Sequence, residues 1–271
     1  MEHTLKTRKA AKEIVDRVRE ARSVEDLPLP SVERLRQSGP FTSQEQFVQT
    51  SFGNFGHLLR LTDVAPHHRV LDYGCGLGRL AIPFSGYLEP EGSFVGVDID
   101  KEAISYLEEL YPQPNFSFRH VDIYSKMYNA KGGAMAKEMQ RLDVGEPFDV
   151  SFLFSVFTHI LPTDVAPLFD FLKRTLKPGG QIMATFFVLN EASLRGLEEG
   201  TSHRPFAFPI DGARIDNRDV PEGAVAYAEE DVRRHAADAG LALALFSQGR
   251  WSGQLPDAWH SQDMLVFTHA D

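Results

Sequence analysis

The chain has 271 residues, and its 28 Lys and Arg residues against 38 Asp and Glu residues give a formal net charge of −10. Hydrophobic residues make up 42% and charged residues 24%, a composition typical of soluble globular proteins that excludes collagen-like, coiled-coil and low-complexity chains. Because nonspecific binding to nucleic acid depends on Lys and Arg side chains that release counterions, the acidic balance disfavours DNA or RNA and favours a small-molecule partner.

Amphipathic spacing predicts a first helix between Leu5 and Ala21, ahead of a stretch that contains two prolines. An aromatic-rich segment from Phe41 to His57 follows. We expect residues 1–60 to form an N-terminal helical or cap segment, which either packs on the body of the protein or is a solvated terminal helix.

From Arg69 onward, short apolar runs alternate with helical stretches. Strands are predicted at Arg69–Tyr73, Ser93–Val97, Asn115–Val121, Phe148–Phe154 and Gln181–Val188, and helices at Leu77–Tyr87, Lys101–Leu110 and Asp164–Leu176. This alternation predicts a parallel, doubly wound sheet with helices on both faces.

The C-terminal part departs from simple alternation. A helix is predicted at Glu229–Ala239, and the strands Leu241–Ser247 and Asp263–Thr268 follow without a helix between them. Such strands can pair antiparallel at the end of a sheet. The predicted fold is therefore α/β: a Rossmann-like, doubly wound, mostly parallel seven-stranded sheet with an antiparallel last strand, in one domain over residues 61–271.

Two connections, at residues 124–146 and 189–227, are longer than ordinary turns. Loops of this length in a compact domain are commonly functional. Both leave the carboxyl ends of predicted strands, where open α/β sheets bind ligands. We expect these insertions, with the N-terminal segment, to form the walls or lid of a substrate pocket.

A glycine-rich loop directly follows the first predicted strand. Gly74, Gly76 and Gly78 stand at alternate positions before a helix, so the backbone can turn sharply and approach a ligand closely. Arg79 stands where the third glycine of the dinucleotide fingerprint would fall, and the Gly-Lys-Ser/Thr sequence of a P-loop is absent. The pattern indicates a ligand-binding turn of another kind.

Carboxylates close the neighbouring strands. Asp98 ends the second strand at about the spacing from Gly74 at which an acidic residue binds ribose hydroxyls, and Asp122 ends the third. One of these two carboxylates would bind the ribose and the other an adenine amino group. Together with Asp72, which would lie near a cationic tail, they would make an adenosine site. The same side chains are alternatively helix caps or solvated strand ends.

Other residue types restrict the chemistry further. Cys75 is the single cysteine, so no intramolecular disulfide or multi-cysteine zinc site is expected. The ten histidines lack the spacing of a zinc helix, so we expect no metal. Without an apolar run of about 20 residues or a signal-peptide core, we expect a cytoplasmic protein with no membrane partner.

These motifs together resemble those of class I S-adenosylmethionine-dependent methyltransferases, in order and spacing, over roughly residues 66–188. The segments that carry the resemblance are Val70-Leu71-Asp72-Tyr73-Gly74-Cys75-Gly76-Leu77-Gly78-Arg79, Val97-Asp98, Val121-Asp122-Ile123, Phe148-Asp149-Val150 and Leu176-Lys177-Pro178-Gly179-Gly180. The paired final strands are also similar to the reversed hairpin of that fold.

The resemblance implies that S-adenosylmethionine is the cofactor and S-adenosylhomocysteine the product. It implies that Gly74, Cys75 and Gly76 pass under the methionine part. Because a catalytic cysteine needs a base partner and none is nearby in the sequence, Cys75 is expected to be a small residue between glycines and not a nucleophile. The resemblance also implies that Asp98 binds the ribose, Asp122 and Ile123 frame the adenine, and Ser155 and Val156 line the sulfonium side. The full predicted cofactor set is Asp72, Tyr73, Gly74, Cys75, Gly76, Gly78, Asp98, Ile99, Asp122, Ile123, Ser155 and Val156.

The segment from Ser155 to Pro162 resembles a subgroup that acts on small natural products, sugars and related acceptors. Methyl transfer needs positioning and desolvation, and a hydroxyl acceptor also benefits from a base. His159 follows a strand end near the expected methyl position and is predicted as that base, with a structural histidine as the alternative. Substrate contacts are predicted for Phe47, Tyr124, Tyr128 and His203.

The leading hypothesis is methyl transfer to a hydroxyl oxygen of a small-molecule acceptor. Nitrogen or carbon acceptors stay open, because the fold hosts many chemistries. Two alternatives of other classes are a nicotinamide-dependent oxidoreductase and a noncatalytic cofactor-binding subunit. The sequence leaves the acceptor open, and it leaves open whether the chain is a monomer or a homodimer.

Overall fold

A computed structural model describes residues 29–38 and 41–270. The helix predicted between Leu5 and Ala21 lies outside these residues. Within the described ranges, every helix is too short or too polar to span a bilayer. Two helices precede the first strand, α1 (Val32–Ser38) and α2 (Gln44–Leu61).

The predicted strands and helices then alternate as expected, and a helix that was not predicted, Met135–Arg141, lies in the long connection at 124–146. The order continues with β1 (Arg69–Tyr73), α3 (Ala81–Tyr87), β2 (Ser93–Asp98), α4 (Lys101–Leu110), β3 (Phe116–His120), α5 (Met135–Arg141), β4 (Phe148–Leu153), α6 (Pro162–Arg174), β5 (Leu176–Phe186), β6 (Val188–Leu189) and α7 (Glu191–Glu198). It ends with β7 (Phe208–Ile210), β8 (Ala213–Ile215), β9 (Val225–Ala228), α8 (Glu229–Asp238), β10 (Leu241–Ser247) and β11 (Asp263–His269). Short 3₁₀ turns lie at Phe157–His159, Pro221–Gly223 and Arg250–Ser252.

The main sheet confirms the predicted fold class. Its seven strands lie in the order β10-β11-β5-β4-β1-β2-β3. The pairs β1–β2, β2–β3 and β4–β5 are parallel, whereas β11 is antiparallel to both β5 and β10. The last strand therefore lies inside the sheet and runs against its neighbours. The chain divides into two compact units after His120, which are described in turn.

In the first unit, β1 and β2 are almost wholly buried, as expected for parallel strands that are covered on both faces. Helix α2 buries Phe47, Ser51, Phe55 and Leu58, which share one helical face. Helix α4 begins at its predicted residue, because the Asp100 side chain caps it by accepting bonds from two backbone N–H groups.

Helix α3 begins later than predicted. The sequence indicates a helix from Leu77, but the structure has turns up to Leu80 and a helix from Ala81. Gly76 and Gly78 have φ angles of 51° and 76°, which no helical residue adopts. The glycine loop therefore extends two residues past Gly78, to Leu80.

In the second unit, stacked aromatic side chains form much of the core. The rings of Phe157 and Phe186 lie 4.4 Å apart between centroids, and Phe169 meets Phe267 edge to face at 5.3 Å. Strand β5 begins at Leu176, five positions before the predicted Gln181, because the Pro-Gly-Gly segment stays in the sheet through an irregular register against β4. Helix α6 begins two residues before the predicted Asp164.

The long connection at 189–227 folds into regular structure. Besides α7 it contributes β7, β8 and β9 to a second sheet of four strands in the order β6-β9-β8-β7. This sheet covers a small core that includes Phe187, Phe206 and Trp251. Its strands have two to four residues, too few for periodicity to indicate them.

Candidate active site

The glycine loop of the first unit closes on strand β2 through its own amides. The N–H groups of Gly74 and Cys75 both donate to the carbonyl oxygen of Val97, at 2.7 and 3.0 Å. The Gly76 N–H donates to the Asp98 carboxylate at 2.7 Å, and the Gly78 N–H donates to the Cys75 carbonyl oxygen at 2.9 Å.

Four amides of the loop are thus bonded within the chain and do not form a cradle of free N–H groups. A phosphate or pyrophosphate site requires such free donors. The geometry therefore disfavours a P-loop or a dinucleotide pyrophosphate site. At Gly76 a Cβ atom would meet no other atom within 4 Å, so open space lies beside the loop at this residue.

Asp98 presents a carboxylate with unused capacity. Its Oδ2 accepts the Gly76 N–H at 2.7 Å and its Oδ1 accepts the Asp100 N–H at 2.9 Å. Each carboxylate oxygen has two acceptor sites, so one on each oxygen is left by these two bonds. Burial raises the pKa of Asp98. The backbone N–H groups of Asp100, Gly76 and Ile99 oppose that rise, and the negative charge of Asp100 adds to it. A vicinal diol, which offers two O–H donors, fits this arrangement.

Asp72 lies deeper than Asp98 and is only 4% exposed. Burial raises its pKa to about 8, partly offset by the positive charge of Arg79, while the negative charge of Asp98 adds to the rise. The Arg79 guanidinium lies 5.6 Å from the centre of the Phe41 ring, and the Ser51 hydroxyl donates to the Arg79 carbonyl oxygen.

The other predicted residues of the first unit differ in exposure. Tyr73 and Cys75 are buried, and Ile99 is half-buried. Gly78 packs against helix α4, since a Cβ there would lie 2.5 Å from Leu107. Phe47 is 2% exposed and belongs to a hydrophobic cluster that also contains Leu35 of α1 and Ile82 of α3. Its contact with the substrate stays a prediction.

In the second unit, Asp122 and Ile123 are the first residues of a loop at 122–133, whose two ends are hydrogen-bonded to each other. The Gly133 N–H donates to the Asp122 carbonyl oxygen at 2.7 Å, and the Tyr124 N–H donates back to Gly133 at 2.7 Å. The Asn129 amide donates to the Asp122 carboxylate at 2.9 Å and to the Ile123 carbonyl oxygen at 3.0 Å. Asp122 is exposed and Ile123 is buried.

Ser155 follows strand β4 in a strained conformation. Its φ angle is 60°, in the left-handed region that a residue with a Cβ rarely adopts. The Ser155 N–H donates to the Thr185 hydroxyl at 2.7 Å, and its own hydroxyl donates to Gln262 at 3.0 Å. Val156, next in the chain, is half-buried and accepts the His159 N–H. Such strain is concentrated at functional sites.

His159 ends the short 3₁₀ turn after Val156. Its Nδ1 lies 2.7 Å from the backbone carbonyl oxygen of Glu222. Because a carbonyl only accepts, Nδ1 must carry the proton, and the neutral ring then has its free electron pair on Nε2. Burial lowers the pKa of His159 below its ordinary value of 6.5, with Arg204 adding to the decrease and Glu222 opposing it.

Two of the predicted substrate-contact residues lie in the 122–133 loop, and one of them, Tyr128, meets His159. The Tyr128 ring meets the His159 ring edge to face at 6.2 Å and is 55% exposed, while Tyr124 is 48% exposed. His203 is exposed, and its backbone N–H donates to the Trp251 carbonyl oxygen at 2.8 Å. The structure thus brings Tyr128 to His159 and gives no contact of His203 with either residue.

Two functional residues were missed from the sequence. Glu222 contacts both His159 and the 122–133 loop, and Asn129 holds that loop closed. The Asn129 bonds are local, so an Asx-type turn signal could have indicated them. No local pattern marks Glu222. Across residues 29–38 and 41–270, no group of three or more His, Cys, Asp or Glu side chains is placed to hold a metal ion.

Comparison with protein families agrees with this geometry. Residues 65–205, just over half of the chain, match the family described as a methyltransferase domain. The chain belongs to this family of methyltransferase domains. The match includes the glycine loop, Asp98, the 122–133 loop and His159.

Individual relatives are more distant. A probable thiol methyltransferase 2 of Arabidopsis thaliana is 28% identical over 139 residues, which are 51% of this chain and 54% of that protein. The chain spans from about a third to about half of the length of the curated relatives it matches.

Solved structures share the fold. The PH0226 protein of Pyrococcus horikoshii OT3 has a TM-score of 0.53 and 17% identity, covering 84% of this chain and 92% of that chain. The magnesium protoporphyrin IX methyltransferase of Synechocystis PCC 6803, solved with bound SAH, has a TM-score of 0.52 and 15% identity, covering 88% and 94%. At such identities the similarity establishes the architecture alone.

Proposed function

We propose that the protein is an S-adenosylmethionine-dependent methyltransferase that acts on a hydroxyl oxygen of a small molecule. Membership of the methyltransferase-domain family supports the reaction class. The observation that carries the cofactor assignment is the Asp98 carboxylate, which the Gly76 amide holds with acceptor sites to spare.

The residues of the first unit fit this cofactor. Asp98 would bind the two ribose hydroxyls, and the backbone of Gly74, Cys75 and Gly76 would lie against the methionine part, where Gly76 has open space. The positive charge of the bound cofactor would lower the raised pKa of Asp72 and so leave a carboxylate near the cationic groups. S-adenosylmethionine, when bound, supplies a methyl group on positively charged sulfur, which an electron pair of the acceptor can displace.

In the second unit, we assign Asp122 and Ile123 to the adenine and the backbone at Ser155 and Val156 to the sulfonium side. His159 is the base in this proposal. Its Nδ1–H is bonded to Glu222, so Nε2 can take the proton from an acceptor hydroxyl. The lowered pKa of His159 keeps the ring neutral, and therefore basic, at neutral pH. The exposed rings of Tyr124 and Tyr128 would contact an apolar or partly apolar acceptor.

Calorimetric titration with S-adenosylmethionine, S-adenosylhomocysteine and NAD tests the cofactor. We expect saturable binding of both adenosyl ligands and none of NAD. Asp98→Ala should weaken that binding at least tenfold, whereas Asp257→Ala, at an exposed site, should leave it unchanged. Asp98→Asn serves if the alanine variant does not fold. Binding of NAD alone, or of none of the three, contradicts the proposal.

Transfer of a labelled methyl group to a panel of phenols, aliphatic alcohols, amines and thiols tests the acceptor. The proposal expects an oxygen-methylated product. Methylation of amines or thiols only would agree with a methyltransferase, but it would contradict the role of His159 as a base for a hydroxyl acceptor. Tight binding of S-adenosylhomocysteine without product from any acceptor would instead favour a noncatalytic subunit.

A further inference from the structure

Glu222 is a buried acid that lies outside every sequence motif. It occupies the 3₁₀ turn Pro221–Gly223 of the second unit and is only 6% exposed. Its carboxylate accepts three hydrogen bonds from the 122–133 loop, one from the Ser125 hydroxyl and two from the backbone N–H groups of Lys126 and Met127, at 3.1 and 3.2 Å. These partners are nearly a hundred residues away in the chain.

The main chain of the same residue makes a different contact. Its carbonyl oxygen accepts the Nδ1–H of His159 at 2.7 Å. One residue therefore holds the 122–133 loop with its side chain and the His159 ring with its backbone. Because the side chain and the carbonyl share one short turn, a shift of the turn changes both contacts.

We infer that Glu222 is a positioning residue, which fixes the Nδ1–H tautomer of His159 and couples the ring to the 122–133 loop. The inference rests on the proposed function, in which His159 is the base. Tyr128 lies in the same loop with its ring edge-on to His159. A contact of the acceptor with this loop would therefore affect the His159 ring.

The chemistry of the three donors requires a carboxylate. All three groups donate, and an ionised carboxylate accepts at both oxygens. A glutamine would turn its NH₂ group toward at least one backbone N–H, because Lys126 meets one oxygen and Met127 the other. The loop has one further tie to the same segment, since the Lys126 ammonium donates to the Asp219 carbonyl oxygen at 2.6 Å.

The charges around His159 come from several elements. Arg204, before β7, lowers the pKa of His159, and Glu222 raises it. Asp164 in α6 interacts with Glu222, whose negative charge adds to the rise in the Asp164 pKa that burial causes. A change of the His159 pKa alone would therefore mix several causes, and the tautomer is the clearer readout.

Nitrogen-15 NMR of the imidazole rings reports the tautomer. The His159 signals are assigned by their loss in His159→Gln. In the native protein at pH 7.5 we expect the proton on Nδ1. In Glu222→Ala we expect the Nε2–H form to become the major one, as in free histidine, because the turn no longer holds the carbonyl against Nδ1. Lys126→Ala is the matched control, since it removes the exposed tie between the same segments.

The outcomes are decisive in each case. A tautomer change in Glu222→Ala but not in Lys126→Ala supports the inference. An unchanged tautomer, the same change in both variants, or a native ring with its proton on Nε2 overturns it. If Glu222→Ala does not fold, Glu222→Gln and Ser125→Ala take its place, with a smaller shift in the same direction expected.

The cofactor titration is made on the same samples. Failure of the native protein to bind S-adenosylhomocysteine would refute the proposed function, whereas the NMR result depends only on the folded chain. The two failures are thus distinguishable.

Discussion

The Asp263 carboxylate accepts the indole N–H of Trp251 at 2.8 Å, and both side chains are at most 2% exposed. The same carboxylate also accepts the backbone N–H groups of Val188 and Gly249, at 2.7 and 2.8 Å. One buried acid at the start of β11 therefore joins β6 and the loop after β10. Three donors satisfy an acid whose burial would otherwise be costly.

Replacement of Asp263 by Asn should lower the free energy of unfolding by about 1–3 kcal/mol, because the amide group would place N–H donors against other donors. Urea unfolding followed by tryptophan fluorescence measures the change. Asp257→Asn, at an exposed site, is the control and should stay within about 0.5 kcal/mol of the native protein. Equal stability of both variants would show that the three bonds contribute little.

The stability of the protein should fall as the pH rises from about 4 to 8. Burial raises the pKa of Asp72 to about 8 and that of Asp263 to about 7, from an ordinary value of 3.8. Between these limits the folded state keeps protons that the unfolded state has lost, so each group contributes a decrease of up to about 1.4 kcal/mol per pH unit.

The Asp72→Asn variant tests this dependence, because it removes one of the two titrations. Its slope of unfolding free energy against pH should be shallower than that of the native protein between pH 5 and 8. An exposed variant, Glu91→Gln, should keep the native slope. A stability that rises with pH over this range would contradict the assignment of raised pKa values to these two acids.

The fold was largely predictable because local signals and tertiary structure agree. Helix α4 and strand β10 have their predicted bounds, since Asp100 caps the former and Gly240, with a φ angle of 76°, turns the chain directly before the latter. The predicted start of β5 was wrong because Pro178 and Gly179 are turn residues by propensity. In the structure, Leu176 and Gln181 pair with β4 on either side of them, and the strand continues through the irregular register between.

The candidate site was predictable only in part. Asp98 and Gly76 could be inferred because Asp98 ends a strand, Gly76 lies in the loop after another, and both signals are local. Glu222 could not, since its importance depends on Ser125, which is 97 positions away in the chain. Neither periodicity nor composition indicates a contact between residues so far apart in the chain. The strands on either side of Glu222 are also too short to be predicted from the sequence.

Thr185→Val should destabilise the turn after β4. The Thr185 hydroxyl, 2% exposed, accepts the N–H of Ser155, and valine keeps its shape while removing the acceptor. We expect a loss of about 1–3 kcal/mol in the free energy of unfolding, since the left-handed Ser155 loses its anchor. Thr185→Ser keeps a hydroxyl and should be less affected. Equal losses in both variants would assign the effect to packing.

Substitutions at two glycines of the loop, Gly76 and Gly78, should have different effects. Gly76→Ala places a methyl group in open space and adds left-handed strain of about 1–2 kcal/mol, so we expect S-adenosylhomocysteine to bind at least tenfold more weakly. Gly78→Ala would push a methyl group against Leu107 in α4, so its main effect should be on stability. Calorimetry and urea unfolding on both variants measure the two effects. Unchanged ligand affinity in Gly76→Ala would exclude the loop from the cofactor site.

His159→Gln should lower turnover of an acceptor by about 10²–10⁴-fold, the usual contribution of general-base catalysis. The affinity for S-adenosylhomocysteine should stay unchanged, because the variant removes a proton acceptor and no proposed cofactor contact. His67→Gln, at an exposed site, should keep native turnover.

The pH dependence of kcat/KM gives an independent check on this base. Burial lowers the pKa of His159 below 6.5. As the pH rises and the ring loses its proton, kcat/KM of the native protein should therefore increase and then reach a plateau. The midpoint of this increase should lie below pH 6.5. In His159→Gln this limb should be absent. A decrease in turnover of less than about tenfold, or the same rising limb in the variant, would show that His159 is a structural histidine.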